Sequence, residues 1–161
     1  MKGARLFGVQ YNPKGAIEPM TTPKYGKYIV TRPKEDLVVP SWGGSLSAER
    51  STRMMYLDSE VIKGAFYVEC VWFWPTDQKD TSSPDPHTHE YDEVIAFFGT
   101  NRDNLQDLGA QIELWIDNEK NLIDESFLAF IPAGIVHCPL NILRIDRPVF
   151  HFAVGQGKKY F

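Results

Sequence analysis

Four histidines occur in the chain, and three of them, His87, His89 and His137, stand in patterns that can bring imidazoles to one point. His87-Thr88-His89 sets two rings two residues apart, and Glu93 follows four residues later. In an extended strand residues i and i+2 point to the same side, so both rings can reach a common centre. Glu93 shares their parity. A turn between His89 and Glu93 makes that parity uninformative, and a carboxylate joining from the next strand serves equally well. Three neutral imidazoles and a carboxylate suit Mn(II), Fe(II), Ni(II), Cu(II) or Zn(II), and the donor set does not separate them. On a six-coordinate ion four protein ligands leave two positions open, the condition for a catalytic rather than a closed site.

Strands and turns must position these groups. Pro132 and Gly134, in Pro132-Ala133-Gly134-Ile135-Val136-His137, predict a tight turn that ends a strand over Phe127–Ile131. His137 then opens the next strand, Pro139–Ile145, and points inward beside the first pair. Further strands are expected at Tyr25–Thr31, Arg53–Leu57, Ala65–Trp74, His87–Phe98 (one or two), Ala110–Ile116 and Val149–Val154. Ala65–Trp74 reads AFYVECVWFW, apolar on both faces as in a strand sandwiched within a core. Asp117-Asn118-Glu119-Lys120 reads as a hairpin turn. Residues 45–52 and Asn101–Leu108 are expected to hold a helical turn each. Eight or more short strands with little helix imply an all-β antiparallel sandwich or barrel. Two polar loops, Pro75–Pro86 and Gly99–Gly109, flank the histidine segment; each either covers a pocket mouth or is a plain surface connection.

One domain is expected, residues 1–161, with a Pro-, Lys- and Gly-rich arm over 1–38 and the barrel core over 39–161. A chain of this length buries roughly two-thirds of its unfolded surface. Hydrophobic residues make up 43%, enough for a packed core without disulfides, and Cys70 and Cys138 make no disulfide framework. The net charge of −4, with no cluster larger than Lys158–Lys159 or Arg144/Arg147, excludes a binder that neutralises nucleic-acid phosphates. No stretch approaches the roughly 18 apolar residues of a membrane helix, and Met1–Ala16 has no signal-peptide run. No membrane association and a cytoplasmic location are the expectations.

The segment HTHEYDEVIAFFG, His87 to Gly99, resembles the first motif of the cupin superfamily, HxHxxxE followed by a glycine. PAGIVHCPLN, Pro132 to Asn141, resembles the second, PxGxxHxxxN. Both occur in order, about forty residues apart, and the strands on either side suit the same barrel. The resemblance implies an antiparallel jelly-roll β-barrel of cupin type and one divalent metal ion inside it, held by His87, His89, Glu93 and His137. It also implies a homodimer and a small-molecule ligand. The chain departs from the pattern at three turn positions. Thr81 and Ser126 stand where glycines commonly open the two motifs, and Gly99 follows Glu93 one residue early.

Other polar residues are secondary. His151 either faces the barrel as a proton-transfer group or is structural, and the structural role is the expectation. Tyr91 is expected in a turn. Cys138, next to His137, should point the opposite way on a regular strand as a buried inert thiol. Glu69 is expected at a rim or subunit interface rather than inside. Arg53 or Arg147 can belong to the pocket lining. No catalytic residue is assigned. Three functions compete: an oxygenase, a redox-neutral decarboxylase, isomerase or lyase, and a non-catalytic binding or sensing module.

Overall fold

The computed structural model describes residues 23–40, 43–44, 46–76 and 83–159. Residues 1–22 of the proposed arm lie outside the described residues. Eight strands follow one another: β1 (Ser51–Leu57), β2 (Tyr67–Phe73), β3 (Glu93–Phe98), β4 (Asp107–Ile116), β5 (Glu119–Glu125), β6 (Phe127–Ile131), β7 (His137–Ile145) and β8 (Val149–Gly155). They form a five-stranded sheet in the order β1-β2-β8-β3-β6 and a three-stranded sheet in the order β5-β4-β7. Every pairing is antiparallel. The result is an all-β jelly roll, two sheets facing each other over a common core.

Alternation along the strands builds that core. Ile112 and Leu114 of β4, Ile142 and Ile145 of β7, and Val71, Phe73, Ile95 and Phe97 of the larger sheet are all buried in one cluster. Such side chains contribute roughly 1.5–3 kcal/mol each on burial. β2 is the strong strand its composition predicts, but it is not sandwiched. Tyr67, Val71 and Phe73 face the core, whereas Val68, Cys70 and Trp72 remain partly exposed on the outer face of the sheet.

Two strand expectations change places. Tyr25–Thr31 holds a short 3-10 turn, Gly26–Tyr28, with Tyr25, Tyr28 and Ile29 exposed. Its β-prone residues meet no partner strand among the described residues, and strand propensity without pairing yields no strand. β5 was not expected, because the polarity of EKNLIDE hides it: Glu119 to Glu125 carries charges on both faces. It is the edge of the smaller sheet, and charge at an edge blocks pairing with other chains. The Asp117-Asn118 part of the hairpin turn is as expected, with Asp117 at φ 53°. The helical turns expected at 45–52 and Asn101–Leu108 are non-helical turns where described, and residue 45 lies outside the described residues.

Leu37, within the arm, packs against Tyr56, Tyr67 and Ala153. No described helix is long and apolar enough to cross a membrane.

Candidate metal centre

His87 and His89 lie before β3 in an irregular segment. An isolated antiparallel bridge, His87 to His137, fixes the first of them against the start of β7. Its two hydrogen bonds run from His87 N to His137 O at 3.1 Å and from His137 N to His87 O at 3.0 Å. A bend at Glu90–Tyr91 then re-aims the chain, and Glu93 opens β3. The carboxylate therefore joins from the next strand, one of the two routes the spacing allowed. The Pro132–Gly134 turn is present, and Gly134 N donates to His89 O at 2.9 Å, tying the second motif to the first. His137 opens β7 as expected. Glu93 belongs to the larger sheet and His137 to the smaller, so the cluster forms between the sheets.

The side chains form two groups that share His137. His89 Nε2 and His137 Nε2 each lie 3.2 Å from Glu93 Oε2. Ring centroids of His87 and His137 are 4.3 Å apart, and those of His89 and His137 4.8 Å. Glu93 and His137 are almost wholly buried, at 2% and 1% exposure. Ligand atoms of His89, Glu93 and His137 lie within 4.8 Å of one another, and so do those of His87, His137 and Cys138.

Each imidazole is oriented by a backbone carbonyl. The Nδ1 atoms of His87, His89 and His137 lie 2.7, 2.6 and 3.2 Å from the carbonyls of Asp85, Tyr91 and Ile135. A carbonyl only accepts, so each Nδ1 carries the hydrogen and each neutral ring presents an Nε2 lone pair to the centre. Two such lone pairs then face the Glu93 carboxylate at 3.2 Å, an acceptor–acceptor arrangement. A cation among them resolves it. Backbone carbonyls that fix the tautomer of metal-binding histidines are the usual outer support of such sites. The donor set therefore fits a divalent transition metal.

Without a cation, the same contacts couple the titration of Glu93 and His89. Burial raises the Glu93 carboxyl, but the His137 and His89 imidazoles outweigh it and hold the group below its usual range. Burial lowers His89, and the Glu93 carboxylate more than offsets this, leaving the ring above its ordinary value. His87 is lowered, chiefly by burial. Tyr91 is in the bend, as expected, and its ring stacks on His89 at 4.2 Å with 2° between the planes. It packs over Gly155, where a Cβ would collide with the ring.

The cluster opens on a cavity of about 120 Å³, room for roughly ten water-sized groups, whose wall includes Glu93 and His137. Two expectations are corrected there, those for Glu69 and Cys138. Glu69 is not at a rim: its side chain faces the cavity and pairs with Arg53. The run of β2 alternates strictly, so Glu69 shares the inward face of Tyr67 and Val71. His151 also faces the cavity, with its ring against Phe97 at 4.4 Å and Nδ1 2.9 Å from the Ala96 carbonyl. Cys138 does not point away; its φ of 72° breaks the strand's alternation and turns the thiol into the cavity. Burial, aided by the Glu93 charge, pushes that thiol up to about 12. Of the two arginines considered, Arg53 lines the cavity and Arg147 pairs with Asp107 at 2.5 Å elsewhere.

Sequence reading missed the segment around Leu37, Val39 and Leu46, which closes part of the cavity. No spacing rule marks it. Of the flanking loops, Ser83 and Pro84 reach the cavity wall, residues 77–82 lie outside the described residues, and Gly99–Gly109 does not line it. Thr81 is among those outside. Ser126, the other departure from the motif pattern, uses its hydroxyl as a bridge: it accepts from Gly99 N at 3.0 Å and donates to Leu105 O at 2.7 Å.

Two facing antiparallel sheets, with the two motif segments meeting between them, give the architecture that the motif resemblance implies. The chain has a jelly-roll fold. No protein-family model and no curated protein matches its sequence. Among solved structures, oxalate oxidase in complex with the substrate analogue glycolate is 13% identical over 96% of this chain and 72% of that chain, with a TM-score of 0.49. A sugar phosphate isomerase from a cupin superfamily, from Silicibacter pomeroyi, is 20% identical over 71% of this chain and 68% of that one, TM-score 0.44. The match to a DMSP lyase is 13% identical and covers 57% of this chain but 38% of that chain, TM-score 0.34. At these values what each of those proteins does stays with that protein.

Proposed function

We propose that this chain is a metal-dependent cupin enzyme acting on a small organic molecule in the barrel cavity, with one divalent transition-metal ion held by His87, His89, Glu93 and His137. The observation that supports the reading is the pair of Nε2 atoms, of His89 and His137, on the buried Glu93 carboxylate, with the His87 ring beside His137 and each ring oriented by a backbone carbonyl. When bound, such an ion supplies Lewis-acid polarisation of a carbonyl or carboxylate, or redox chemistry. The chain's own residues do the rest. The apolar wall formed by Val71, Phe73, Ile95 and Phe97 excludes water. His151, whose Nδ1 hydrogen is committed to Ala96 O, presents Nε2 to the cavity as a proton acceptor. As a protein partner we propose a second copy of the chain.

Metal content tests the centre. Protein purified without added metal is expected to hold about one transition-metal ion per chain by elemental analysis, and His89→Ala to lose most of it. Unchanged stoichiometry in that variant would overturn the ligand assignment. Turnover of candidate substrates with and without oxygen then separates an oxygenase from a lyase or isomerase, and saturable binding with no product under either condition leaves the binding module.

A further inference from the structure

Within the larger sheet, register fixes what lies along the cavity wall. Glu93 is level with Gly155 and, across it, with Tyr67. One rung further along lie Tyr56, Glu69, Ala153 and Ile95, and beyond these Arg53, Val71, His151 and Phe97. Glu69 and Glu93 are thus two strands and one rung apart, about 12 Å between Cα atoms. Arg53 Nε donates to Glu69 Oε1 at 2.5 Å, and Tyr67 Oη donates to Glu69 Oε2 at 3.1 Å. All three line the same cavity as Glu93 and His137, with the apolar Val71, Ile95 and Ala153 between the two polar groups.

Arg53 reaches this position through an irregularity. Tyr56 and Arg53 are three residues apart and would face opposite sides of a regular strand, yet both line the cavity. The register of β1 shifts between Arg53 and Met55, and the extra residue, Met54, is exposed. A bulge of this kind re-aims a side chain. Core packing does not call for a guanidinium here: a half-buried ion pair in an apolar wall is commonly no more stable than a hydrophobic pair. Among the described residues Glu69 is the one hydrogen-bonding partner of Arg53, and it takes Nε, which leaves the edge formed by the two Nη nitrogens directed at other acceptors. That edge matches the two oxygens of a carboxylate.

We propose that Arg53, held in plane by Glu69 and Tyr67, receives the carboxylate of a small organic acid whose apolar middle lies on Val71 and Ile95 and whose other end reaches the Glu93/His137 centre. The far end rests on the metal reading given above; the carboxylate end does not. Arg53 is then a specificity-determining residue, and Glu69 and Tyr67 are positioning residues.

The test uses the full chain loaded with Zn(II) and three sets of probes followed by titration calorimetry: n-alkyl hydroxamates, hydroxamates of matched length ending in a carboxylate, and n-alkyl carboxylates. The carboxylated hydroxamate of best length is expected to bind about tenfold or more tightly than its uncharged match. In the Arg53→Gln/Glu69→Gln double variant, which strands no buried charge, that preference should vanish while the plain hydroxamate binds as before. Persistence of the preference in this variant, or its absence from the unaltered protein, would overturn the proposal. Arg53→Lys keeps the partner of Glu69 and carries the same question should the double variant not fold. Loss of the planar fork should then cut the preference at least severalfold, and an undiminished preference counts against the proposal. Failure of the metal reading looks different: plain hydroxamates would bind equally to His89→Ala, while n-alkyl carboxylates would still require Arg53.

Discussion

His151 shows how a single buried ring carries information about both stability and chemistry. Burial between Phe73 and Phe97 holds its pKa below the ordinary value near 6.5, while the Glu69 charge and the Ala96 carbonyl pull weakly the other way. The unfolded chain binds a proton at this residue near pH 6.5, before the folded protein does. A folded-state pKa that is depressed gives stability that is complete above the unfolded value and is lost as pH falls through the folded one. The protein should therefore weaken from about pH 6.5 downward, and His151→Gln should weaken less over the same range. Urea midpoints at a series of pH values measure both slopes, and parallel curves for the two proteins would sink the idea. The inward aim of Cys138 marks the limit of reading by parity, whereas Glu69 and His151 follow the alternation of β2 and β8. The four proposed ligands were legible because type and spacing together point to one chemistry. Cys138 was not, because its positive φ is invisible in the sequence. Arg53 was only half legible, because a bulge reverses the alternation that would assign its face.

At the scale of elements, the connection from β3 to β4 sets how the centre sits on its sheet. β3 begins at Glu93 and ends at Phe98, and Gly99 then passes against the backbone of β4. A Cβ at Gly99 would run into the Asp107 carbonyl and the Leu108 backbone, atoms that cannot swing aside as a side-chain tip does. Ser126 fastens the same point by accepting from Gly99 N. Gly99→Ala should consequently destabilise the protein by about 1–3 kcal/mol, the usual range for forced overpacking. Thermal or urea unfolding reads this directly; a loss within error of zero would show that the β3–β4 passage yields easily. The strand total was legible while two of its members were not. Tyr25–Thr31 has strand-forming residues but no neighbour to pair with, and β5 pairs with β4 while its composition is that of a loop. Pairing partners are a property of the whole chain, and local composition carries no trace of them. The motif loops were more legible: the Pro132–Gly134 turn and the opening of β7 at His137 follow from residues whose backbone preferences are strong.

At the scale of the whole molecule, one surface stands apart from the acidic remainder. The outward positions of β2, β8, β3 and β6 carry Trp72, Phe150, Phe152, Phe98, Leu128 and Phe130, and no outward position on these four strands is charged. Leu128 and Phe130 are 64% and 61% exposed, and Trp72 stacks with Trp74 and leans on Phe150. Four strands of about seven residues cover roughly 19 by 23 Å, or about 440 Å² in projection. Side-chain relief brings that toward the ~800 Å² per partner of a standard interface. A contiguous apolar patch of this size is as large as the largest on a typical monomer, and such patches often serve an interaction. A second copy suits it, because a two-fold axis sets the same patch against itself and needs no complementary charge. The protein is therefore expected to be dimeric at micromolar concentration by light scattering, and Leu128→Asp/Phe130→Asp to be monomeric. Both positions lie outside the core, so the variant should keep its urea midpoint once concentration dependence is removed, and its metal content too. A monomeric parent protein would refute the pairing. A dimer indifferent to both substitutions would move the interface off this sheet, leaving the apolar face to some other occupant.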